Sequence, residues 1–166
     1  MPVVALRPIV DADLDALFAM QRDPLAVHMA AFTPDDPSDR PRFDARMARI
    51  RTDPAITNRA ITYDGTLAGS IACFPMEDDL EITYWIDRPL WGRGIASAAL
   101  TLLLREVTAR PLRARAAGDN AASLRVLQKA GFIPEATETA YAPARQAKIE
   151  ETILRLPGHA PPHFPL

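Results

Sequence analysis

A short glycine-containing segment between an extended run and a helical pattern is the feature that most constrains the fold of this chain. Residues 91–97 read WGRGIAS and follow an alternating run that ends at Ile86. The first backbone N–H groups of a helix have no intrahelical acceptor, and glycine lets the backbone approach a ligand without a Cβ. The segment is therefore suited to bind a pyrophosphate. A tight strand-to-helix turn without a ligand is the alternative interpretation.

Two common phosphate-binding loops do not match this segment. A P-loop needs Lys followed by Ser or Thr after its last glycine, whereas Gly94 is followed by Ile95 and Ala96. A dinucleotide fingerprint needs a third glycine where Ser97 stands and an acidic residue about 20 positions later. Residues 113–115 occupy that later position and include two arginines. A Rossmann-type oxidoreductase that binds a nicotinamide cofactor is therefore disfavoured.

The residues before the segment predict strands and helices in a mixed order. Alternation predicts strands over 3–9, 58–63, 67–74 and 80–86, and helical periodicity predicts helices from 11 to near 24 and over 38–50. The pair Asp64-Gly65 supplies the positive φ that a hairpin turn needs. The last three of these strands therefore form an antiparallel meander.

After the segment the period changes from two to that of a helix. The predicted elements are a helix from 95 to before Pro111, a strand over 112–116, a helix from 119 that ends at Gly131, and closing strands over 132–141 and 147–156. The strand–helix–strand unit over 80–116 needs a right-handed crossover. We therefore expect one α/β domain over 1–156, followed by a proline-rich tail over 157–166.

Composition excludes several classes of partner. The chain has 166 residues and a formal charge of −2, so it has no general attraction to nucleic acid or anionic lipid, and any bound anion must be held locally. Cys73 is the only cysteine, which rules out an intramolecular disulfide. No apolar run is long enough to span a membrane, and the three histidines lack the spacing of a metal site. We expect a cytoplasmic protein without metal, nucleic acid or membrane partners.

The segment and its flanks resemble the GNAT superfamily of acetyl-CoA-dependent N-acetyltransferases. The loop of that family reads Arg/Gln-x-x-Gly-x-Gly/Ala, which matches at Gly94 and Ala96 but has Trp91 at its first position. The runs EITYWI at 81–86, NAASL at 120–124 and KAGF at 129–132 resemble its RimJ/RimL branch, which acetylates the N-termini of ribosomal proteins. The resemblance implies a mixed, mostly antiparallel sheet of six to seven strands, splayed between the fourth and fifth and flanked by about four helices.

The resemblance also implies where the co-substrate acetyl-CoA binds. Its pantetheine arm is expected along the backbone of Trp85 and Ile86, and its pyrophosphate on the amides of residues 93–97. Arg88, Arg93 and Lys129 are candidates for outer phosphate contacts, with a solvated surface role as the alternative. The cofactor-binding residues expected are Trp85, Ile86, Arg93, Gly94, Ile95, Ala96, Ser97, Asn120 and Lys129. For Asn120, a helix N-cap is the alternative role.

Two residues are predicted to handle protons in an acetyl transfer. An amine cannot attack a thioester while it is protonated, and many family members place a carboxylate where Glu81 stands. Partial burial would raise the pKa of Glu81, but a strand glutamate can also face solvent or pair with an arginine. Many members supply a proton to the leaving thiolate from a tyrosine in the later helix, where this chain has Leu127. The RimJ/RimL branch carries a serine that matches Ser123, which we expect to be the acid.

The leading interpretation is an N-acetyltransferase that transfers an acetyl group directly to a primary amine in a ternary complex. The acceptor would be a small molecule or a peptide, and the chain would be a monomer or homodimer. The acidic pairs and turns at 35–36 and 77–79 could attract a cationic amine or simply be solvated loops. The alternative is a non-catalytic, CoA-binding regulatory module with the same fold.

Overall fold

A seven-stranded sheet forms the centre of the computed structural model, which describes residues 2–158. Its strands are β1 Val4–Arg7, β2 Thr57–Tyr63, β3 Thr66–Met76, β4 Asp79–Ile86, β5 Leu112–Ala117, β6 Ile133–Ala142 and β7 Ala147–Leu156. The helices are α1 Leu14–Met20, α2 Pro24–Ala30, α3 Arg40–Thr52, α4 Ile95–Glu106 and α5 Ala121–Lys129. The strand order is β1-β2-β3-β4-β5-β7-β6, and the one parallel pair is β4 with β5. The predicted α/β class and the mostly antiparallel sheet are confirmed.

The strand boundaries follow the sequence pattern closely. Each predicted strand matches an observed one, and no end differs by more than two residues. The turn between β2 and β3 falls at Asp64 and Gly65, which have φ of 50° and 82°. The alternation of apolar side chains and the turn chemistry therefore determine these elements locally.

Residues 2–158 contain five helices, one more than the resemblance implies. The extra helix arises because α1 ends at Met20 and α2 begins at Pro24, whose fixed φ and missing N–H suit the first turn of a helix. Asp23 caps α2 by accepting a hydrogen bond from the backbone N–H of Ala26 at 2.9 Å. The sequence pattern indicates Pro24 only as the end of a helix, whereas in the structure a second helix starts there.

The helices cover both faces of the sheet. On one face α4 and α5 enclose a buried cluster that contains Ile82, Ile86 and Leu100. On the opposite face α1 and α3 enclose a second cluster, which contains Phe18 and against which Trp85 packs. Side chains alternate between the faces of a strand. Ile82, Tyr84 and Ile86 of β4 thus lie on the α4–α5 face, and Glu81, Thr83 and Trp85 lie on the α1–α3 face.

The sheet is splayed between β4 and β5, as the resemblance implies. Their parallel pairing covers only residues 80–82 of β4, which lie opposite residues 112–114 of β5. Beyond that point β4 continues to pair with β3 as far as Ile86, while β5 continues to pair with β7. The carboxyl ends of the two strands therefore separate and leave a gap in the sheet.

The predicted tail is described only at its first two residues, Pro157 and Gly158, which follow the end of β7. The rest of that prediction, residues 159–166, lies outside the described residues. Within residues 2–158, every helix is too short or too polar to cross a lipid bilayer.

A substitution at Gly69 tests the close approach of β3 and β4 beside the gap. A Cβ at this position would collide with the carbonyl oxygen of Trp85, a backbone atom that cannot move without disturbing the ladder. We expect Gly69→Ala to lower the free energy of unfolding by about 1–3 kcal/mol, measured by urea denaturation. Gly158→Ala is the matched control, because the nearest atom to its Cβ would be 3.7 Å away, an ordinary contact. Equal losses in the two variants would contradict this account.

Candidate active site

The gap between β4 and β5 opens into a cavity of about 860 Å³. Its walls are the ends of the two strands, the glycine segment, the first turn of α4, one side of α5 and part of α2. These parts meet because β4 leads into α4 and β5 leads into α5, which brings both helix N-termini to the splayed end of the sheet. Ligands of α/β proteins bind at this end, outside the carboxyl ends of the strands.

The glycine segment forms a cradle of backbone N–H groups at one side of the cavity. Gly92 and Gly94 have φ of 78° and 77°, a region that side chains with a Cβ rarely adopt. No atom lies within 4 Å of the position that a Cβ would take at either glycine. Within residues 2–158, no protein acceptor bonds the backbone N–H groups from Gly92 to Ser97. The segment therefore presents free donors and open space for an anion.

Alternate residues of β4 direct their backbone groups into the gap. The backbone groups of successive residues in a strand point alternately to its two neighbouring strands. The N–H of Asp87, two positions after Trp85, donates to the carbonyl of Ala68 beside β3 at 2.8 Å. The backbone of Trp85 consequently bonds to β3, while Tyr84 and Ile86 point their backbone groups toward β5. The sequence analysis assigned the pantetheine contact to the backbone of Trp85 and Ile86. A pantetheine contact with the backbone of Ile86 fits this register, whereas one with Trp85 would need backbone groups that bond to β3, and both contacts stay predictions.

Trp91 stands where the family loop has Arg or Gln, and its side chain turns back to β4. The indole Nε1 donates a hydrogen bond to the carbonyl oxygen of Ile86 at 2.8 Å. That carbonyl points into the gap, so Trp91 occupies one of the acceptors that β4 presents there. Trp91 also lines the cavity. The departure from the family pattern thus fixes the geometry between the strand end and the glycine cradle.

The three predicted phosphate-binding side chains have different surroundings. Arg88 is paired with Asp23 at 2.8 Å on the surface. The guanidinium of Arg93 lies 6.0 Å from the ring centre of Tyr63, and Arg93 does not line the cavity. Lys129 does line it. Of the three side chains, Lys129 is the one that the fold brings to the cavity, whereas Arg93 is suited to contribute only its backbone.

Asn120 caps helix α5. Its Oδ1 accepts a hydrogen bond from the backbone N–H of Ser123, and its Nδ2 donates to the carbonyl of Met29 on α2, both at 3.3 Å. The N-cap alternative is therefore the role that the structure shows. Asn120 also lines the cavity, so a contact with a ligand there stays a prediction.

Tyr84 and Ser123 form a hydroxyl pair on the α4–α5 face of the gap. Their oxygens, Oη and Oγ, lie 2.7 Å apart, and both residues line the cavity. Burial raises the pKa of the Tyr84 phenol, and the hydrogen bond with Ser123 opposes that rise. The phenol therefore keeps its proton near neutral pH. The sequence analysis missed Tyr84, although its alternation with Ile82 and Ile86 places it on this face.

Glu81 is buried on the opposite side of the gap and forms an ion pair. Its side chain lines the cavity, and its Oε1 accepts a hydrogen bond from Nε of Arg115 at 2.8 Å. A guanidinium compensates the negative charge of a buried carboxylate, which is costly without a partner. Pairing with an arginine was one of the alternatives that the sequence analysis left open for Glu81.

Arg115 lies at the centre of a cluster of carboxylate side chains that the sequence did not predict. Nη1 of Arg115 also lies 3.6 Å from the carboxylate of Glu138 on β6. Glu151 of β7 is buried, with 9% of its surface exposed, and it lines the cavity. Within residues 2–158, the carboxyl group of Glu151 has no hydrogen-bond or ion-pair partner. The alternation of β7, with Ile153 buried two positions later, is the signal that would have placed Glu151 inside.

The surroundings of Glu151 change its protonation. Burial raises the pKa of its carboxyl group, and the neighbouring Glu81 and Glu138 raise it further, whereas Arg115 lowers it. A carboxyl group with a raised pKa is suited to exchange protons closer to neutral pH. The candidate site therefore has a hydroxyl pair on one face of the sheet and carboxylates on the other, joined through the gap.

The sequence matches a known protein family over most of its length. The profile of that family, described as Acetyltransferase (GNAT) domain, matches residues 4–133. Among curated protein sequences, none matches this chain significantly.

Several solved structures share the fold. An N-acetyltransferase from Staphylococcus aureus Mu50 is 21% identical with a TM-score of 0.79, and the match covers 93% of this chain and 98% of that one. The yncA protein from Salmonella typhimurium, solved with its cofactor acetyl-CoA, is 21% identical with a TM-score of 0.75 and coverages of 96% and 98%. The microcin C7 self-immunity acetyltransferase MccE, in complex with acetyl-CoA and AMP, is 15% identical with a TM-score of 0.77 and coverages of 92% and 91%.

The raised pKa of Glu151 makes a prediction about stability and pH. The folded state binds the proton of this carboxyl group more tightly than the unfolded state does, so the wild type loses stability as pH rises through the folded pKa. Glu151→Gln removes this titration. We therefore expect the unfolding free energy of the variant, relative to wild type, to be higher at pH 8 than at pH 4. Urea denaturation at both pH values measures this, and a relative stability that does not increase with pH would contradict the raised pKa.

Proposed function

This chain belongs to the family of acetyltransferase (GNAT) domains, and we propose that it transfers the acetyl group of acetyl-CoA directly to a primary amine in a ternary complex. One observation carries the proposal: the splayed ends of β4 and β5 and the cradle of free N–H groups before α4 line the same cavity. A loop that served only as a turn would need no gap in the sheet beside it.

The residues present fit acetyl-CoA. The pyrophosphate takes the backbone N–H groups of residues 93–97, for which no protein acceptor is found within residues 2–158. The pantetheine arm lies along β4 as an added strand would, and one of its amides pairs with the backbone groups of Tyr84, because the carbonyl of Ile86 already accepts from Trp91. Lys129 and Asn120 line the same cavity and contact the remaining polar groups.

When bound, acetyl-CoA supplies the activated acyl group as a thioester. The chain's own contribution is to position the acceptor and to move two protons. Glu81, as the sequence analysis predicts, accepts the proton of the acceptor ammonium through a water molecule. The neutral amine nitrogen then forms a C–N bond to the acetyl carbon while the C–S bond breaks, and the second proton of the nitrogen passes to water. The N–H of Ile86, which points into the gap, is placed to donate to the carbonyl oxygen during this step.

The leaving thiolate takes its proton on the other face of the sheet. Ser123 donates from its hydroxyl group and regains a proton from Tyr84, whose Oη lies 2.7 Å from Oγ, and Tyr84 in turn is reprotonated from water. This pair takes the place of the helix tyrosine of many family members, because Leu127 is buried at that position. The base and the acid therefore approach the reacting atoms from opposite faces.

The acceptor is a small-molecule amine or a protein N-terminus. The runs at 81–86, 120–124 and 129–132, which resemble the RimJ/RimL branch, support the second of these.

The role of Glu81 is tested by Glu81→Gln, which removes the proton acceptor. We expect kcat/KM for the amine to fall by about 100-fold or more, the usual contribution of a general base, with acetyl-CoA binding unchanged. Thiol release in the presence of a panel of amines measures the rate, and calorimetry measures the Kd of acetyl-CoA. Glu150→Gln is the control, because it makes the same change at an exposed glutamate, on β7.

Two results would contradict these assignments. Unchanged turnover in Glu81→Gln would remove Glu81 from the mechanism. Tight binding of acetyl-CoA by the wild type without turnover of any amine or peptide would support the non-catalytic regulatory module instead.

The hydroxyl pair is tested by a double-mutant cycle of Tyr84→Phe and Ser123→Ala. We expect each variant to lower kcat by about tenfold, less than the usual contribution of a general acid, because a thiol with an ordinary pKa is a good leaving group. The double variant is expected to be no slower than the slower single variant, since the two groups act as one relay. Tyr141→Phe, at a tyrosine exposed on β6, is the control. Strictly additive losses would contradict the relay.

A further inference from the structure

The part of the cavity on the α1–α3 face, called here the acceptor end, combines carboxylates with aromatic side chains. Phe74 of β3 lies directly opposite Glu81 of β4 in the ladder, so the two side chains are neighbours on this face. Phe32 packs against the small buried cluster of Ala31, Ala117 and Ala142, and Ala117 lies opposite Glu151. Both phenylalanines line the cavity. Glu81 therefore has an aromatic side chain beside it, and Glu151 shares the cavity with a second one.

The charges at this end favour a cation. Among residues 2–158, Arg115 is the one basic residue that lines the cavity on this face, since Arg125 and Lys129 belong to α5 on the other face. Arg115 is engaged by Glu81 at 2.8 Å and lies 3.6 Å from Glu138. Among residues 2–158, Glu151 forms no ion pair and no side-chain hydrogen bond. Within the part of the chain that the structure describes, an ammonium group entering the acceptor end thus meets a carboxyl group that is held in no ion pair, whereas an incoming carboxylate meets no cation that is free of one.

The apolar walls place a second condition on the acceptor. Besides Phe32 and Phe74, the side chains of Met29 and Met76 line the cavity. Methionine and phenylalanine offer adaptable contacts to an apolar group but no hydrogen-bond donors to a polar one. Burial of an apolar substituent against them is favourable in proportion to the area removed from water.

We propose that the acceptor end selects a cationic amine that carries an apolar or aromatic substituent and has no free carboxylate beside the amino group. Glu151 receives the ammonium group, and the walls formed by Phe32, Phe74 and the two methionines receive the substituent. Amines with a neutral group next to the nitrogen, such as arylalkylamines and the N-termini of peptides with an apolar first residue, belong to this class. Free amino acids do not. The inference rests on the proposed acetyl transfer and narrows its acceptor.

Three small amines test the selection with the purified full chain and saturating acetyl-CoA. Phenylalaninamide and phenylalanine differ by the carboxylate, and phenylalaninamide and glycinamide differ by the benzyl group. We expect kcat/KM for phenylalaninamide to exceed that for each of the other two by about tenfold or more. A tenfold ratio requires a difference of only about 1.4 kcal/mol in interaction energy. Thiol release measures all three.

Two variants connect the selection to Glu151. Glu151→Gln is expected to lower kcat/KM for phenylalaninamide by about tenfold while leaving that for phenylalanine unchanged or higher, because the repulsion of the carboxylate is removed. Glu150→Gln, whose side chain is exposed on the same strand, is expected to leave the ratio between these two substrates unchanged.

The outcomes separate this inference from the proposed function. If kcat/KM for phenylalanine or for glycinamide is at least as high as that for phenylalaninamide, the proposed acceptor class is overturned. Acetyl transfer itself is not affected by that result. A selectivity that is unchanged in Glu151→Gln overturns the role of Glu151. Acetyl-CoA binding without turnover of any of the three amines or of a peptide overturns the proposed function, and the acceptor class with it.

Discussion

The parallel pairing of β4 and β5 ends after three residues on each strand, and the candidate site depends on that early end. If the ladder had continued, the backbone groups of Tyr84 and Ile86 would have bonded to β5, and no gap would connect the two faces of the sheet. Because it stops, two strand ends are left with unpaired backbone groups beside two helix N-termini. Unpaired buried backbone groups are costly, which makes the gap suited to a ligand that pairs with them.

The gap also determines how charge is distributed in the site. Neutral donors, which are backbone N–H groups and a hydroxyl pair, lie on the side of α4 and α5. Carboxylates lie at the acceptor end, on the α1–α3 face, where Arg115 compensates some of their charge. A chain with a formal charge of −2 can therefore hold an anionic co-substrate at one end of the cavity and attract a cationic acceptor at the other.

Local sequence patterns were sufficient for the strands and for the cradle. Alternation located every strand, the glycines at 92 and 94 indicated the loop, and Asn120 was recognised as a possible cap. Local patterns failed where one residue serves two purposes. Pro24 ends one helical run and starts another, and Trp91 departs from the family loop but bonds back to Ile86 at 2.8 Å. Neither outcome can be derived from residue type alone, because both depend on what lies next to the side chain in space.

The sequence by itself determined the mixed α/β order, the family, and the segment whose free N–H groups suit a pyrophosphate, because these properties follow from residues that are neighbours in the chain. Only the tertiary structure decided which groups meet across the gap. Tyr84 contacts Ser123 from 39 positions away, and Glu81 pairs with Arg115 from 34 positions away. Glu151 joins them from the last strand, where it reads as one more strand glutamate until β7 pairs with β5. Strand register sets these contacts, and register depends on pairing between distant segments.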